Sequence, residues 1–317
     1  ALREAIADHY QHFFGVSVSP EQVLVTPGAS GALQLALALS VDPGDGVLIT
    51  DPGYPCNRHF VELVGGAPGP LTLDPASGLR ATAEAVEAAW TDTTVATVLA
   101  SPDNPTGNVL TAAELQALSA AIGARGGNLI MDEIYQGLNP GEPPRSVLAH
   151  EPDALVINSF SKFFGMTGWR LGWLVAPREA VEPLTRMAQN FFLAPSTPAQ
   201  HAALAAFSGE TLAALEMRRR ELDRRRRLLL ERLPATGLRV VGRPEGAFYI
   251  YLDASAVTHD SFDFCRRLLE EEAVALTPGL DFGATHEPGR YLRIAYTVPC
   301  ERLEEALQRI THFVERQ

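Results

Sequence analysis

Short apolar runs alternate with helical patterns over the first two-thirds of the chain. Val23–Thr26, Val47–Thr50, Val95–Ala100, Leu129–Asp132, Leu155–Asn158 and Gly172–Ala176 are apolar almost throughout and read as strands. Between them, Ser30–Leu39, Ala81–Trp90, Ala112–Ile122 and Glu179–Gln189 carry apolar residues at helical spacing. Thr111 and Glu114 precede and open the third of these, at the spacing of a capping box. Strands that are apolar on both faces and alternate with helices predict an α/β fold, a mostly parallel sheet sandwiched by helices.

After residue 210 the pattern changes. Thr211–Leu233 reads as one long, arginine-rich helix. Strands follow near Leu238–Val241, Ala247–Leu252 and Tyr291–Tyr296, with helices near Phe262–Glu272 and from Glu301 onward. The pattern predicts a large domain over 1–210 and a smaller C-terminal α/β domain over 211–317, hung from helix 211–233. Leu2, Ile6 and Phe13 suit an opening helix, yet no cap precedes them, so a missing N-terminal segment is expected.

Composition narrows the function classes. With 317 residues and 46% hydrophobic side chains, the chain can bury a large core and divide into two domains. Lys and Arg total 26 against 38 Asp and Glu, a formal charge of -12, which makes it a poor general binder of nucleic acid. A local pocket can still oppose that sign and take an anion. No apolar run reaches the roughly 18 residues of a membrane span, and the opening residues lack the apolar stretch of a signal peptide. Cys56, Cys265 and Cys300 form no CxxC pair and are too few for a disulfide framework, so a reducing, cytoplasmic setting is expected. His9 and His12 share a helix without a third ligand, and no metal site is expected.

Ligands of an open parallel sheet bind beyond the carboxyl ends of its strands. Just past the strands come Gly28-Ala29-Ser30-Gly31, then Asp51-Pro52-Gly53-Tyr54-Pro55, and Ser101-Pro102-Asp103-Asn104-Pro105-Thr106-Gly107. Asp132 and Tyr135 follow the next strand, and Ser159, Ser161 and Lys162 the one after. On one sheet these groups share one rim. Gly28–Gly31 suits an anion cradle at a helix start; a plain turn capped by Ser30 fits it as well. It is not GxGxxG, which argues against a nicotinamide-binding oxidoreductase.

The segment Ser159–Gly172, SFSKFFGMTGWRLG, is more specific. It resembles the cofactor-lysine segment of the class I/II pyridoxal-phosphate (PLP) aminotransferases of fold type I. The other motifs arrive in that family's order: Asp-Pro-Gly-Tyr-Pro, Asn-Pro-Thr-Gly, Asp-Glu-Ile-Tyr-Gln-Gly, and the strand bearing Arg293. The resemblance spans essentially the whole chain.

It implies that Lys162 forms an imine with the aldehyde of pyridoxal 5'-phosphate and, once displaced, moves the substrate Cα proton. That work needs an amine of lowered pKa. Asp132 would pair with the pyridine nitrogen and keep the ring an electron acceptor. Tyr135 and Asn104 would bond the ring's 3-oxygen, and Tyr54 would stack on the ring. Ser30, Ser159, Ser161 and Arg170, with the N–H of Ala29, would hold the phosphate, Arg170 by a bidentate fork. Arg293 would clamp the substrate carboxylate, with Asn104 beside it. The resemblance also implies a homodimer.

The implied activity is transfer of an amino group between an amino acid and a 2-oxo acid. The same residues serve PLP-dependent C–S and β-elimination lyases, and a non-catalytic sensor domain also fits; both alternatives stay open. The family's N-terminal arm has no counterpart here. Where dicarboxylate-specific relatives carry an arginine from the neighbouring subunit, this chain has Phe191 and Phe192, so a neutral or aromatic donor is expected. The arginine run Arg218–Arg220 and Arg224–Arg227, interleaved with Glu216, Glu221, Asp223 and Glu231, reads as a solvated helix face.

Overall fold

The computed structural model describes residues 1–140 and 145–316. Its larger sheet has seven strands: β1 (Val23–Thr26), β2 (Gly46–Asp51), β3 (Ala67–Thr72), β4 (Thr94–Ala100), β5 (Asn128–Asp132), β6 (Leu155–Ser159) and β7 (Gly172–Val175). They lie in the order β1-β7-β6-β5-β4-β2-β3. β3, β2, β4, β5 and β6 are parallel, and β7 runs antiparallel to both its neighbours. All six expected strands are present. β3, Ala-Pro-Gly-Pro-Leu-Thr, is the addition. Its two prolines hide it from pattern reading, and they are tolerated because β3 is an edge strand.

Helices cover both faces. They are α1 (Leu2–His9), α2 (Gly28–Ser40), α3 (Cys56–Leu63), α4 (Ala83–Ala89), α5 (Ala112–Gly123), α6 (Arg178–Phe192) and α7 (Thr197–Ala206). On one face Leu33 and Leu37 of α2 join Leu184 of α6 over Ile157 and Leu174. On the other, Ile6 of α1 and Leu118 of α5 pack with Met131, Val156 and Trp173. The capping box forms: Thr111 Oγ1 accepts from the Glu114 N–H at 3.3 Å, and the Glu114 carboxylate accepts from the Thr111 N–H at 2.8 Å.

The long helix α8 (Gly209–Arg232) leads to a second sheet of β8 (Arg239–Val241), β9 (Tyr249–Asp253), β10 (Thr277–Pro278) and β11 (Tyr291–Ala295). These strands are antiparallel, in the order β10-β11-β9-β8. Helices α9 (Ser261–Glu272) and α10 (Cys300–Glu315) complete this part, with Leu229, Ile250, Leu252, Leu268, Leu292 and Ile310 in one buried cluster. Along α8, Arg219 and Arg220 pair with Glu216, Arg224 and Arg225 with Glu221, and Arg226 and Arg227 with Asp223. Among the described residues, no helix is long and apolar enough to cross a membrane.

Candidate active site

Strand direction explains why one rim collects the polar groups. β2, β4, β5 and β6 point the same way, and β1 joins them because two antiparallel pairings separate it from β6. Their carboxyl ends release the Tyr54, Asn104, Asp132–Tyr135 and Lys162 segments and the Gly28 start of α2. Arg170 enters the same rim from the amino end of the reversed β7. A single cavity of about 130 Å³ is lined there by Ala29, Ser30, Tyr54, Asn104, Asp132 and Tyr135, and by Ser161, Lys162 and Arg170. Leu33, Phe60, Ala100, Ile134, Ile157 and Thr167 complete the wall. Thr167 is a polar contributor that sequence reading missed, although it sits inside the lysine segment.

Two expected residues stand outside this lining. Ser159 is buried behind the wall, where its Oγ accepts the Ser161 N–H at 3.0 Å. It supports the backbone that turns Lys162 into the cavity. Arg293, on β11 of the second sheet, reaches the rim through Asn104: Nη1 donates to Asn104 Oδ1 at 2.7 Å and Nη2 to Thr277 Oγ1 at 3.2 Å. The rings of Tyr249 and Phe282 flank its guanidinium, with centroids 4.1 and 4.6 Å away. Its Nε is buried with no hydrogen-bond partner.

The lysine loop is anchored by aromatic packing. Phe160 and Phe164 contact Trp173 and Phe207, and Phe163 packs on Phe13. The loop closes on itself through Phe160 N–H to Leu171 O at 3.0 Å and Met166 N–H to Phe160 O at 2.8 Å. Lys162 Nζ lies 5.5 Å from the Tyr135 ring centroid and 5.6 Å from that of Phe248. Burial lowers the Lys162 pKa; the Asp132 charge opposes that, while Arg293 and Arg170 reinforce it. Lys162 is also the only lysine in the 317-residue sequence; the other 25 of its 26 basic side chains are arginine.

Asp132 ends β5. One carboxylate oxygen accepts the Ile134 N–H at 2.9 Å, and burial raises the pKa to about 6. Tyr135 exchanges a hydrogen bond with Tyr249 across 3.1 Å between hydroxyls, and burial pushes its phenol well above the usual value. Tyr249 was not legible as a site residue, because it sits on a strand of the second sheet. Tyr54 is 39% exposed at the mouth.

At the start of α2 the geometry suits an anion. Arg170 donates Nη1 to Thr167 O at 2.9 Å and takes a left-handed backbone, φ 50°. A Cβ on Gly28 would stand 2.9 Å from Arg170 Nη2, and one on Gly172 would stand 2.8 Å from the Ala29 nitrogen. Only glycines at these two positions allow the guanidinium and the reversed strand to close on the helix start. Helix N–H groups and an arginine fork thus face one end of the cavity, with the Asp132 carboxylate and Lys162 also on its walls.

Phe191 and Phe192, at the end of α6, do not line this cavity. Phe191 is exposed, and Phe192 packs toward α2.

Comparison with known proteins gives the chain's family. The family model "Aminotransferase class I and II" matches residues 1–310. The chain is 39% identical over 322 residues to valine–pyruvate aminotransferase of Mycobacterium tuberculosis, covering 100% of this chain and 81% of that one. It is 36% identical over 321 residues to aspartate/prephenate aminotransferase of Thermus thermophilus, with 99% and 81% covered. The crystal structure of an aminotransferase from Mycobacterium tuberculosis superposes with a TM-score of 0.95 at 37% identity, over 100% of this chain and 82% of the other. Sequence family, close relatives and fold therefore agree that the chain belongs to the class I and II aminotransferases, and that it is an aminotransferase.

Proposed function

We propose that the cavity binds pyridoxal 5'-phosphate, with Lys162 as the amine that holds its aldehyde. The observation that carries this reading is the presence of the chain's only lysine in one cavity with the partly buried Asp132 and with Arg170 at a helix start. The residues fit the group: an anion cup for the phosphate, a carboxylate for the ring nitrogen and an amine for the aldehyde. Ala29, Ser30, Ser161 and Arg170 take the phosphate, with Ser159 holding the backbone behind them. Tyr135 and Asn104 take the ring's 3-oxygen, and Tyr54 covers the mouth against the ring. When bound, the cofactor supplies an acceptor for the electron pair released at the substrate Cα.

The protein's own groups do the rest. Arg293 and Asn104 grip the α-carboxylate, and the unpartnered Nε of Arg293 supports that role. This grip presents the Cα–H bond to Lys162 Nζ. The lowered Lys162 pKa leaves a neutral fraction to take that proton and return it. Amino acids and 2-oxo acids are the substrates, and a neutral or aromatic donor suits the apolar Leu33, Phe60 and Ile134 walls. Residues 1–210 form the cofactor-holding domain, 211–317 the smaller one, and the working unit is a homodimer. Free thiols at Cys56, Cys265 and Cys300 suit a cytoplasmic setting.

The test is borohydride reduction after incubation with the cofactor, followed by peptide mapping. A reduced pyridoxyl group on the Lys162 peptide is expected, and Lys162→Ala should carry none. Because no second ε-amine exists in this sequence, wild-type protein left unlabelled at position 162 would overturn the assignment.

A further inference from the structure

Arg218 breaks the charge pattern of α8. The arginines that follow it in the run pair with Glu216, Glu221 or Asp223. Arg218 makes no ion pair among the described residues and turns instead to backbone in the lysine loop. Its Nη2 donates to Lys162 O at 3.0 Å and also to Phe163 O. A Cβ on Gly165 would stand 2.2 Å from Arg218 Nη1, and Gly165 has φ +71°, so a glycine there gives the guanidinium its place. Gly165 N–H also donates to Lys162 O, at 3.1 Å. Arg218 is exposed along its length, while desolvation of its tip lowers its pKa.

We propose that Arg218 is a positioning residue for Lys162: reaching from α8, it clamps the Lys162–Phe163 backbone and ties the reactive amine to the helix that carries the second sheet. The proposal rests on Lys162 being the reactive amine. The charges that bear on Lys162 Nζ are those of Asp132, Arg293 and Arg170. Arg218 therefore acts through the peptide carbonyls, by fixing where the side chain begins. β11, with Arg293, belongs to the same second sheet. One helix thus connects the group that grips the substrate carboxylate with the group that takes its proton.

The single lysine makes a direct test possible without cofactor. Reaction of the cofactor-free chain with acetic anhydride across a pH series, read on the Lys162 peptide, reports that amine's pKa and access. In Arg218→Met the loop relaxes and Nζ gains water, so its midpoint should rise toward that of an ordinary lysine. At a pH below the midpoint, labelling should be about threefold slower. Arg219→Met, on the same helix but bonded to Glu216 and Asn139 O, should leave the profile unchanged. With cofactor, Arg218→Met should lower kcat about tenfold while changing the donor KM less than about twofold. A folded Arg218→Met chain with the wild-type labelling profile would overturn the clamp. Should that variant not fold, Arg218→Lys reads the same contact: its shorter ammonium should give an intermediate shift, and a wild-type profile would again refute the idea. Failure of Lys162 to bind cofactor at all would show separately, as a missing pyridoxyl adduct in the wild type.

Discussion

Arg293 Nη1 donates to Asn104 Oδ1 across 2.7 Å, joining a strand of the second sheet to the loop after β4 of the first. The bond closes the cavity rim between the two parts of the chain. It also leaves the guanidinium edge at Nε without a partner, held flat between Tyr249 and Phe282. A carboxylate reaching that edge would gain a charge-assisted bond from Nε.

Arg293→Lys should therefore be far from conservative. An ammonium cannot fill the slot between two rings and reach both Asn104 and a substrate carboxylate. Loss of about 3 kcal/mol is expected, a fall in kcat/KM of roughly 100-fold for the amino-donor half-reaction. Stopped-flow measurement of that half-reaction checks it, and an unchanged kcat/KM would remove Arg293 from substrate binding.

Three buried carboxyls set the pH dependence of stability. Burial raises Asp103 and Asp132 to about 6 and Glu133 to about 8. Each binds its proton more tightly folded than unfolded, so each stabilises the fold most at acid pH and loses that contribution as pH rises through its folded pKa. Burial lowers the His9 pKa to about 4, which opposes this trend below pH 6.5, so the Tm of the cofactor-free chain should fall from pH 6.5 to pH 8.5. Glu133 is the cleanest probe: Oε1 accepts the Val147 N–H at 2.7 Å and Oε2 is buried without a partner. Glu133→Gln keeps the first bond and removes the charge. Its Tm should exceed wild type by about 3 °C at pH 8.5 and by less at pH 5. Parallel wild-type and variant curves would contradict this.

The strands were readable because they are apolar on both faces, and the rim followed from strand direction. β3 was not, since Pro68 and Pro70 read as turn. α3 and α7 were not, since Cys56–Leu63 follows a proline-glycine turn and Thr197–Ala206 is mostly small residues. Within the site, most motif residues fell together because they follow strands of the same sheet, with Arg170 just before β7 and Arg293 on the second sheet. Tyr249 and Arg218 were missed for another reason. Their partners lie on other elements, 56 residues away in the case of Arg218 and Lys162, and no local spacing encodes such a contact.

Asp132 gives a prediction on cofactor affinity. Its carboxyl, near 6 in the unliganded cavity, loses its charge as pH falls below that value. The ring nitrogen then loses its anionic partner, so pyridoxal-phosphate affinity should fall about fivefold from pH 6 to pH 5. Fluorescence titration measures it. Asp132→Asn should bind more weakly at pH 7.5 and show a shallower acid decline, what remains coming from the phosphate. Equal slopes in the two proteins would detach Asp132 from the cofactor nitrogen.

Donor preference follows from which cations the cavity has already assigned. Lys162 and Arg170 are its lining cations, and Arg293 stands at the rim; the reading above uses all three for proton transfer, phosphate and α-carboxylate. A second carboxylate on the donor would face Leu33, Phe60 and Ile134, and a charge buried there without a partner costs several kcal/mol. Neutral or aromatic donors should therefore exceed aspartate in kcat/KM by at least about tenfold, measured with one common 2-oxo acid acceptor. Faster turnover of aspartate would refute this and direct attention to Arg58. That residue lines the neighbouring cavity, which shares Tyr54, and its buried Nε has no hydrogen-bond partner. Arg58→Met would then abolish the aspartate rate while sparing neutral donors.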